Sequence, residues 1–170
     1  MYNLRGGTRP MRYVIIGGSV AGINCAKSIR QLDEKGEIIL ISKDKHIISR
    51  CRLHQYLSNE ISVEELNFTN PVEFFETYNV KWKKGYEVTS IDTKAHSLTL
   101  MPYNFKPQTA QDEAENHGES ETLTYDKLLL ATGANSFIPP VENLRTANNV
   151  IGFRNLEDID YIKDKLKTVK

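Results

Sequence analysis

A glycine-rich turn is the first stretch of the sequence whose residues could do chemistry. It spans residues 17–22 with the sequence GGSVAG and directly follows an apolar run at residues 13–16. Between a strand and a helix, the first glycine lets the chain bend tightly and the last lets the helix pack closely on the strand. Gly17 and Gly22 meet these needs, whereas Ser19 replaces the middle glycine with a hydroxyl that can bond a phosphate oxygen. Because a helix N-terminus attracts anions, the turn predicts a site for a dinucleotide pyrophosphate, with a structural turn lacking any ligand as the alternative.

The residues expected to contact a ribose lie about twenty positions further on. In dinucleotide sites, an acid at the end of the second strand usually binds the ribose hydroxyls. Ser42 ends the predicted second strand, Lys43 follows it, and Asp44 is the first acid. The Asp44 carboxylate can accept hydrogen bonds from both hydroxyls, whereas Ser42 occupies the position where strand geometry more often places the ligand. The sequence leaves the choice between Ser42 and Asp44 open.

Two buried strands and a helix must position this turn. The runs at residues 13–16 and 38–41 are short and continuously apolar, which is typical of strands in a parallel sheet covered on both faces. Between them, apolar residues recur at helical spacing at Ala21, Cys25, Ile29 and Leu32. Gly36 is predicted to hold the left-handed position that ends the helix. The resulting βαβ unit predicts a Rossmann-like α/β fold with a doubly wound parallel sheet.

The rest of the chain adds strands and short helices. Predicted strands lie at residues 80–82, 87–92, 97–101, 121–125 and 127–131. The second to fourth of these form a small antiparallel β excursion from the main sheet. Predicted helical pieces lie at residues 64–66, 71–78 and 155–169, the second opened by Asn70 as its cap and Pro71 at its first position. Residues 1–10 are expected to form a flexible extension, and residues 104–121 a mobile acidic loop.

The composition limits the classes of function. Hydrophobic residues make up 39% and charged residues 26% of the 170 residues, as in ordinary soluble globular proteins. With 22 basic and 22 acidic residues, the chain lacks the basic field that nucleic acid or an anionic membrane would need. No apolar run approaches the ~20 residues of a membrane span, and the first ten residues do not resemble a signal peptide. Two cysteines are too few for a disulfide scaffold, and the histidines have no metal-like spacing. These features predict a cytoplasmic protein.

Four stretches occur together in a specific order and spacing. They are YVIIGGSVAGINCAKSIR, IILISKDKHIISRCRLHQYLS, YDKLLLATGANSFIPP and VIGFRNLEDIDYIKDKL, and they extend from residue 13 to residue 166. In this order they resemble the FAD domain of the pyridine nucleotide–disulfide oxidoreductase superfamily. The nearest branches are NADH:rubredoxin oxidoreductases, nitrite-reductase-type flavin subunits, and NADH oxidases or coenzyme A-disulfide reductases. The resemblance implies an FAD-dependent NAD(P)H oxidoreductase that passes electrons to a redox protein such as rubredoxin, to oxygen or to a disulfide.

The resemblance also implies which positions hold the FAD. The pyrophosphate would lie on residues 17–22, including Gly17, Gly18, Ser19, Ala21 and Gly22. The adenosine ribose would face Ser42, Lys43 and Asp44, and Arg50 would contact a phosphate. The backbone of Val88 would meet the adenine, and the turn of Ala131, Thr132 and Gly133 would return the chain to the FAD.

Cys51 is in register with the single redox cysteine that the oxidase and coenzyme A-disulfide reductase branch places beside the flavin. Arg50 and Arg52 flank it, and nearby positive charge lowers the pKa of a thiol and favours the thiolate. The electron-transfer branches have other residues there, and Arg52 replaces the glycine that follows the cysteine in the oxidase pattern. Two interpretations therefore stand, a catalytic thiol and a cysteine that only lines the pocket. Cys25 is expected to be a small buried hydrophobic residue.

The resemblance further predicts how much of an enzyme this chain contains. Residues 11–170 correspond to the N-terminal part of the FAD-binding domain, and the NAD(P)H and C-terminal domains are expected to be absent. Such a part would not turn over NADH efficiently by itself, because hydride delivery needs a positioned nicotinamide. Its uncovered apolar sheet would bind a partner chain or a second copy. Two alternatives remain, a non-catalytic nucleotide-binding subunit or remnant and an NAD(P)-binding dehydrogenase domain.

Overall fold

A computed structural model describes residues 9–104, 118–144, 146–147 and 150–168. Within these ranges the strands are β1 (Arg12–Ile16), β2 (Glu37–Ser42), β3 (Val80–Lys84), β4 (Tyr86–Asp92), β5 (Ser97–Pro102), β6 (Glu121–Thr124) and β7 (Lys127–Leu130). The helices are α1 (Val20–Leu32), α2 (Leu53–Leu57), α3 (Pro71–Thr77) and α4 (Leu156–Leu166), and a 3-10 turn at Arg50–Arg52 precedes α2. Most of the predicted extension at 1–10 and of the predicted loop at 104–121 lies outside the described residues. Across the described ranges, no helix is both long and apolar enough to cross a membrane.

Two sheets form the framework. Strands β3, β2, β1 and β7 pair in parallel in that order, and β4, β5 and β6 form an antiparallel sheet. The first crossover, β1–α1–β2, is the predicted βαβ unit. The antiparallel sheet is the predicted excursion, and β7 then returns to pair with β1. The predicted α/β fold is therefore confirmed.

Each face of the parallel sheet is covered by a different layer. On one face, Ile15 and Leu40 pack in a cluster with Ile23 of α1 and Phe74 of α3. On the other face, a second cluster joins the parallel sheet to the antiparallel one through Val14, Ile41, Leu98 and Leu100. Because alternate residues of a strand point to opposite faces, a sheet covered on both sides needs continuous apolar runs in β1 and β2.

Helix α1 buries a different face from the predicted one. The prediction named Ala21, Cys25, Ile29 and Leu32. The buried residues are Gly22, Ile23 and Ala26. Leu32 is 90% exposed, whereas Cys25 and Ile29 are partly buried against the core cluster. Small residues at 22 and 26 let the helix approach β1 closely. A prediction from the spacing of large apolar residues does not identify these small residues as buried.

Helix α1 ends at Leu32 with Asp33 as its C-cap residue, and Gly36 does not have the predicted left-handed conformation. The Asp33 N–H donates to the Ile29 carbonyl at 2.7 Å, and the Asp33 carboxylate accepts from the Gly36 N–H at 2.8 Å. Glycine is needed at position 36 for a different reason. A Cβ there would lie 2.6 Å from Cε2 of Tyr13, so the position requires close approach rather than an unusual backbone angle.

Of the two short helices predicted in the middle of the chain, one forms and the other does not. Helix α3 begins as predicted, with Pro71 in its first turn and the Asn70 side chain accepting from the Glu73 N–H at 3.3 Å. Residues 64–66 form a turn instead of a helix. That turn buries Leu66, which packs with Leu53 of α2 in a third cluster that includes residues of α4. The packing of Leu66, rather than helix propensity, explains the apolar residue at this point.

Candidate functional site

Three loops meet at one edge of the parallel sheet. Ile16 of β1 pairs with Ile41 of β2 on one side and with Leu130 of β7 on the other. The chain leaves these strands through residues 17–19, residues 43–49 and residues 131–136. In open parallel sheets, ligands bind outside the carboxyl ends of the strands, which is where these loops lie.

The glycine loop is held by close backbone approaches. The Gly17 N–H donates to the Ile41 carbonyl at 2.8 Å, and the Ala131 N–H donates to the Ile16 carbonyl at 2.8 Å. Gly17 has a φ of 118°, and a Cβ on it would overlap the Ala131 carbonyl oxygen. A Cβ on Gly22 would overlap the Gly17 carbonyl oxygen. These contacts explain the glycines at both ends of the GGSVAG turn as a tight bend and a close helix–strand contact.

The N-terminus of α1 opens on this loop. Ser19 is the N-cap residue, and its carbonyl accepts from the Ile23 N–H at 3.0 Å. Within the described part of the chain, the Ser19 hydroxyl makes no hydrogen bond that caps the helix. The first N–H groups of α1 and the Ser19 hydroxyl are therefore placed to act as donors to an anion.

A cavity of about 730 Å³ lies over this edge of the sheet, within the size range of small-molecule and cofactor sites. Its walls include these predicted site residues: Gly17, Gly18, Ser19, Ala21, Ser42, Lys43, Asp44, Arg50, Val88, Ala131, Thr132 and Gly133. Within the described ranges, the walls include neither Gly22, which is buried beneath the loop, nor Cys51.

The end of β2 contributes a chain of hydrogen bonds to the cavity wall. The Ser42 hydroxyl donates to the Asp44 carbonyl at 2.7 Å and accepts from the indole N–H of Trp82 at 2.9 Å. The Asp44 carboxylate accepts from the Arg50 guanidinium at 2.7 Å. Because its one hydrogen is already engaged, the Ser42 hydroxyl is a poorer ribose partner than the Asp44 carboxylate.

The antiparallel sheet forms the opposite wall of the cavity. Val88 lies on β4, next to an irregularity in the pairing of β4 with β5. Lys43 forms an ion pair with Glu87, and its ammonium group lies 4.9 Å from the ring centre of Tyr103. Burial raises the pKa of the Tyr103 phenol, and the negative charges of Glu157 and Glu87 raise it further. The Tyr103 phenol therefore keeps its proton more firmly than a free tyrosine does.

The loop after β7 approaches a segment near the C-terminal end of the chain. Gly133 has a φ of 70°, and a Cβ on it would lie 3.2 Å from a guanidinium nitrogen of Arg154. The Asp158 carboxylate, which is 4% exposed, accepts from the N–H groups of Arg154 and Asn155 at 2.9 Å each. Asp158 thus fixes the start of α4 against the cavity.

Sequence reasoning missed part of the cavity wall. The unpredicted lining residues include Tyr103, Arg154, Glu157 and Asp158. Burial raises the pKa of the Glu157 carboxyl, and the negative charges of Asp44 and Asp158 add to this effect. No local spacing pattern ties these positions to the glycine loop, because folding brings them together from distant parts of the chain.

Cys51 lies in the 3-10 turn directly after Arg50 and is exposed. Its sulfur is 3.0 Å from the Ser49 hydroxyl oxygen. The Arg50 guanidinium bonds Asp44, and the Arg52 guanidinium bonds the Gln55 side chain and the Glu65 carbonyl. Both flanking guanidinium groups thus have hydrogen-bond partners other than the thiol. For Cys25, burial raises the pKa of the thiol.

The spacing of the histidines predicts no metal site. One of these histidines, His117, lies outside the described residues. Among the residues that the structure describes, no group of three or more His, Cys, Asp or Glu side chains is arranged to hold a metal ion.

Comparison with known proteins agrees with this geometry. Residues 11–170 match the family model "Pyridine nucleotide-disulphide oxidoreductase". The chain is 29% identical over 150 residues to an NADH oxidase of Methanocaldococcus jannaschii, covering 87% of this chain and 30% of that protein. It is 28% identical over 166 residues to a coenzyme A disulfide reductase of Staphylococcus epidermidis, covering 94% of this chain and 33% of that protein.

A solved structure has the same fold. The NADH:rubredoxin oxidoreductase of Clostridium acetobutylicum superposes with a TM-score of 0.69 at 23% identity, covering 94% of this chain and 36% of that one. The chain thus spans about a third of the length of the curated relatives it matches. From the extent of the family match and the glycine-loop geometry, the chain belongs to the pyridine nucleotide-disulphide oxidoreductase family.

Proposed function

We propose that the cavity binds FAD and that the chain is the FAD-binding part of an NAD(P)H-dependent oxidoreductase. The observation that carries this proposal is the glycine loop, where Gly17, Gly18 and Ser19 line a cavity at the N-terminus of α1. Proteins of this family bind FAD and use NAD(P)H. Binding of FAD is assigned to this chain, and turnover of NAD(P)H to the whole enzyme.

The residues around the cavity fit the separate parts of FAD. The N–H groups at the start of α1 and the Arg50 guanidinium favour an anion and would hold the pyrophosphate. The Asp44 carboxylate would accept hydrogen bonds from the adenosine ribose, and the partly buried Val88 would contact the adenine. Thr132 and Gly133 would lie on the side of the ribityl chain and flavin. These assignments draw on all three loops and, in addition, on Arg50 and on β4.

When bound, FAD supplies the electron-transfer chemistry. The residues of this chain bind and orient it, and the acceptor that we propose is a redox protein of the rubredoxin kind, oxygen or a disulfide. The relative named NADH oxidase supports oxygen as the acceptor, and the relative named coenzyme A disulfide reductase supports a disulfide. The exposed Cys51 thiol, adjacent in sequence to Arg50, supports the disulfide option. We place the enzyme in the cytoplasm, as its composition indicates.

A second candidate is a nucleotide-binding part that works only with a partner chain. The edge strand β7 supports it, because Leu130 at its end is 61% exposed and Phe137 in the following loop is 77% exposed. Exposed apolar residues beside an edge strand favour contact with another chain or a second copy. A size measurement in solution at several concentrations, with and without FAD, tests this candidate, and a monomer under all conditions would count against it.

Titration of the purified chain with parts of the cofactor tests the FAD proposal. Because we assign the described site to the pyrophosphate and adenosine, we expect FAD and ADP to bind and FMN, which lacks adenosine, to bind far more weakly. Isothermal calorimetry measures all three affinities. Equal affinity for FMN and FAD, or no affinity for FAD, would overturn the proposal.

A further inference from the structure

The single tryptophan of the chain lies behind the candidate site rather than in its wall. Trp82 is on β3 and pairs in register with Leu40 of β2. Within the described ranges it does not line the cavity, yet its indole N–H donates to the Ser42 hydroxyl at 2.9 Å. Its hydrogen bond connects it to the residues that line the site.

We infer that Trp82 is a positioning residue that holds the loop after β2 in the form that binds the adenosine and pyrophosphate. Trp82 acts through Ser42, whose hydroxyl bonds the Asp44 carbonyl at 2.7 Å. Asp44 in turn holds the Arg50 guanidinium at 2.7 Å. This inference rests on the proposed function, because it concerns the affinity of the same site.

The Ser42 hydroxyl needs Trp82 to keep its orientation. Ser42 is 6% exposed, so water has little access to its hydroxyl. The indole N–H occupies an acceptor position of the oxygen, which turns the single hydrogen toward the Asp44 carbonyl. Without that donor, the hydroxyl rotates among several orientations, and its bond to Asp44 is made for only part of the time.

Ser42 also lies close to the glycine loop. A Cβ built on Gly18 would lie 3.2 Å from the Ser42 Cβ and 3.4 Å from its hydroxyl oxygen. Ser42 therefore lies between the two loops proposed to hold the pyrophosphate and the ribose. A change at Trp82 reaches both loops through this one side chain.

The indole ring is fixed independently of its hydrogen bond. It stacks on Phe75 with a ring-centre distance of 4.6 Å and an angle of 14°, and the Lys84 ammonium lies 5.5 Å from its centre. Trp82→Phe therefore preserves an aromatic ring on Phe75 and removes the N–H donor. Phe75→Leu is the matched control, because it removes the stacking and leaves the donor in place.

Loss of the indole N–H donor lowers the affinity for FAD and ADP because it changes the conformations of the ligand-free protein. If the loop spends only part of its time in the binding form, the apparent affinity falls by that fraction. For one hydrogen bond between neutral groups, we expect FAD and ADP to bind about fivefold more weakly to Trp82→Phe. The losses for FAD and ADP should be equal, since the loop contacts the part that these ligands share.

A double-mutant cycle on the full chain tests the inference. Calorimetry gives the affinity for ADP and FAD of the wild type, Trp82→Phe, Ser42→Ala, the double variant and Phe75→Leu, with a melting temperature for each. We expect Ser42→Ala to lose at least as much affinity as Trp82→Phe, and the double variant to lose no more than Ser42→Ala. Phe75→Leu should lower the melting temperature and lower the affinity less than Trp82→Phe does, because the indole N–H remains.

Several outcomes would overturn the inference. Wild-type affinity in Trp82→Phe, additive losses in the double variant, or an equal loss in Phe75→Leu would each show that Trp82 acts only through packing or not at all. If Trp82→Phe does not fold, Ser42→Ala with wild-type affinity overturns the inference by itself. A wild-type chain that binds neither ADP nor FAD overturns the proposed function, and the inference with it. The two failures are distinguishable, because failure of the inference alone leaves the wild type able to bind both ligands.

Discussion

The Arg50 guanidinium donates to the Asp44 carboxylate at 2.7 Å, so two residues proposed to bind adjacent parts of one ligand also bind each other. Both side chains are about 30% exposed in the cavity wall. A guanidinium has five N–H donors and can hold a phosphate while keeping its carboxylate partner. The pair therefore leaves Arg50 oriented for an anion before the ligand arrives.

Replacing Arg50 tests its contact with the pyrophosphate. We expect Arg50→Gln to weaken FAD binding about tenfold, because one charged hydrogen bond to a phosphate is lost at a partly exposed site. Arg52→Gln is the matched control, since its guanidinium bonds Gln55 and the Glu65 carbonyl away from the cavity. Calorimetric titration measures both. An equal loss in the two variants would show that general positive charge, and not the Arg50 contact, attracts the ligand.

Replacing Gly22 tests the close packing of α1 on the glycine loop. A Cβ at this position would overlap the Gly17 carbonyl oxygen, so Gly22→Ala should lower the free energy of unfolding by about 3 kcal/mol. Because Gly17 also lines the cavity, FAD binding should fall as well. Denaturant unfolding and FAD titration check the two effects.

The control for Gly22 is a change on the exposed face of the same helix. Ser28→Ala should alter the free energy of unfolding by no more than about 0.5 kcal/mol. Wild-type stability in Gly22→Ala would mean that the helix does not pack this closely on the loop.

Much of the framework could be predicted because its pattern is local. The βαβ unit, the Asn70 cap of α3 and the pairing of β4 with β5 each depend on segments that are near one another in the sequence. The buried face of α1 could not be predicted in this way. Gly22 and Ala26 face β1 because close approach favours small residues, and Leu32, one of the two large apolar residues of the predicted face, is 90% exposed.

In the candidate site as well, some residues could be predicted from the sequence and others could not. The glycine loop and the acid after β2 were predictable from spacing along one βαβ unit. Glu157 and Tyr103 were not, because they reach the cavity through packing of distant segments. The engagement of Arg50 and Arg52 with partners other than Cys51 also depends on the tertiary structure.

The partly buried Glu157 predicts a pH effect on stability. Its pKa in the folded chain is raised above 4.5, so the folded state holds its proton to higher pH than the unfolded state does. As pH rises from 4.5 through the folded pKa, this carboxyl therefore lowers stability, and the full loss is present above that pKa. Glu157→Gln removes the loss and should become increasingly more stable than the wild type over this range.

Thermal unfolding of both chains from pH 4 to pH 7 checks this prediction. The difference between the variant and the wild type isolates Glu157 from other carboxyls, such as Asp126, whose pKa is lowered by its hydrogen bond with Arg9. A difference in stability that does not change with pH would contradict the assignment of the raised pKa to Glu157.

The two cysteines should differ in reactivity. Cys51 is exposed, whereas Cys25 is partly buried and burial raises the pKa of its thiol. A disulfide reagent should therefore modify one thiol quickly and the other slowly in the native chain. Cys51→Ser should remove the fast phase, and Cys25→Ser should retain it. Retention of the fast phase in Cys51→Ser would place the reactive thiol at Cys25 and argue against a redox role for Cys51.

Binding of FAD through the glycine loop is the property on which the proposed function depends. The most direct measurement is the visible absorption spectrum of the purified chain after incubation with FAD and removal of free ligand, with the released flavin identified by chromatography. We predict an oxidised-flavin spectrum and release of FAD rather than FMN. A colourless chain, or one that retains FMN as readily as FAD, would contradict the claim.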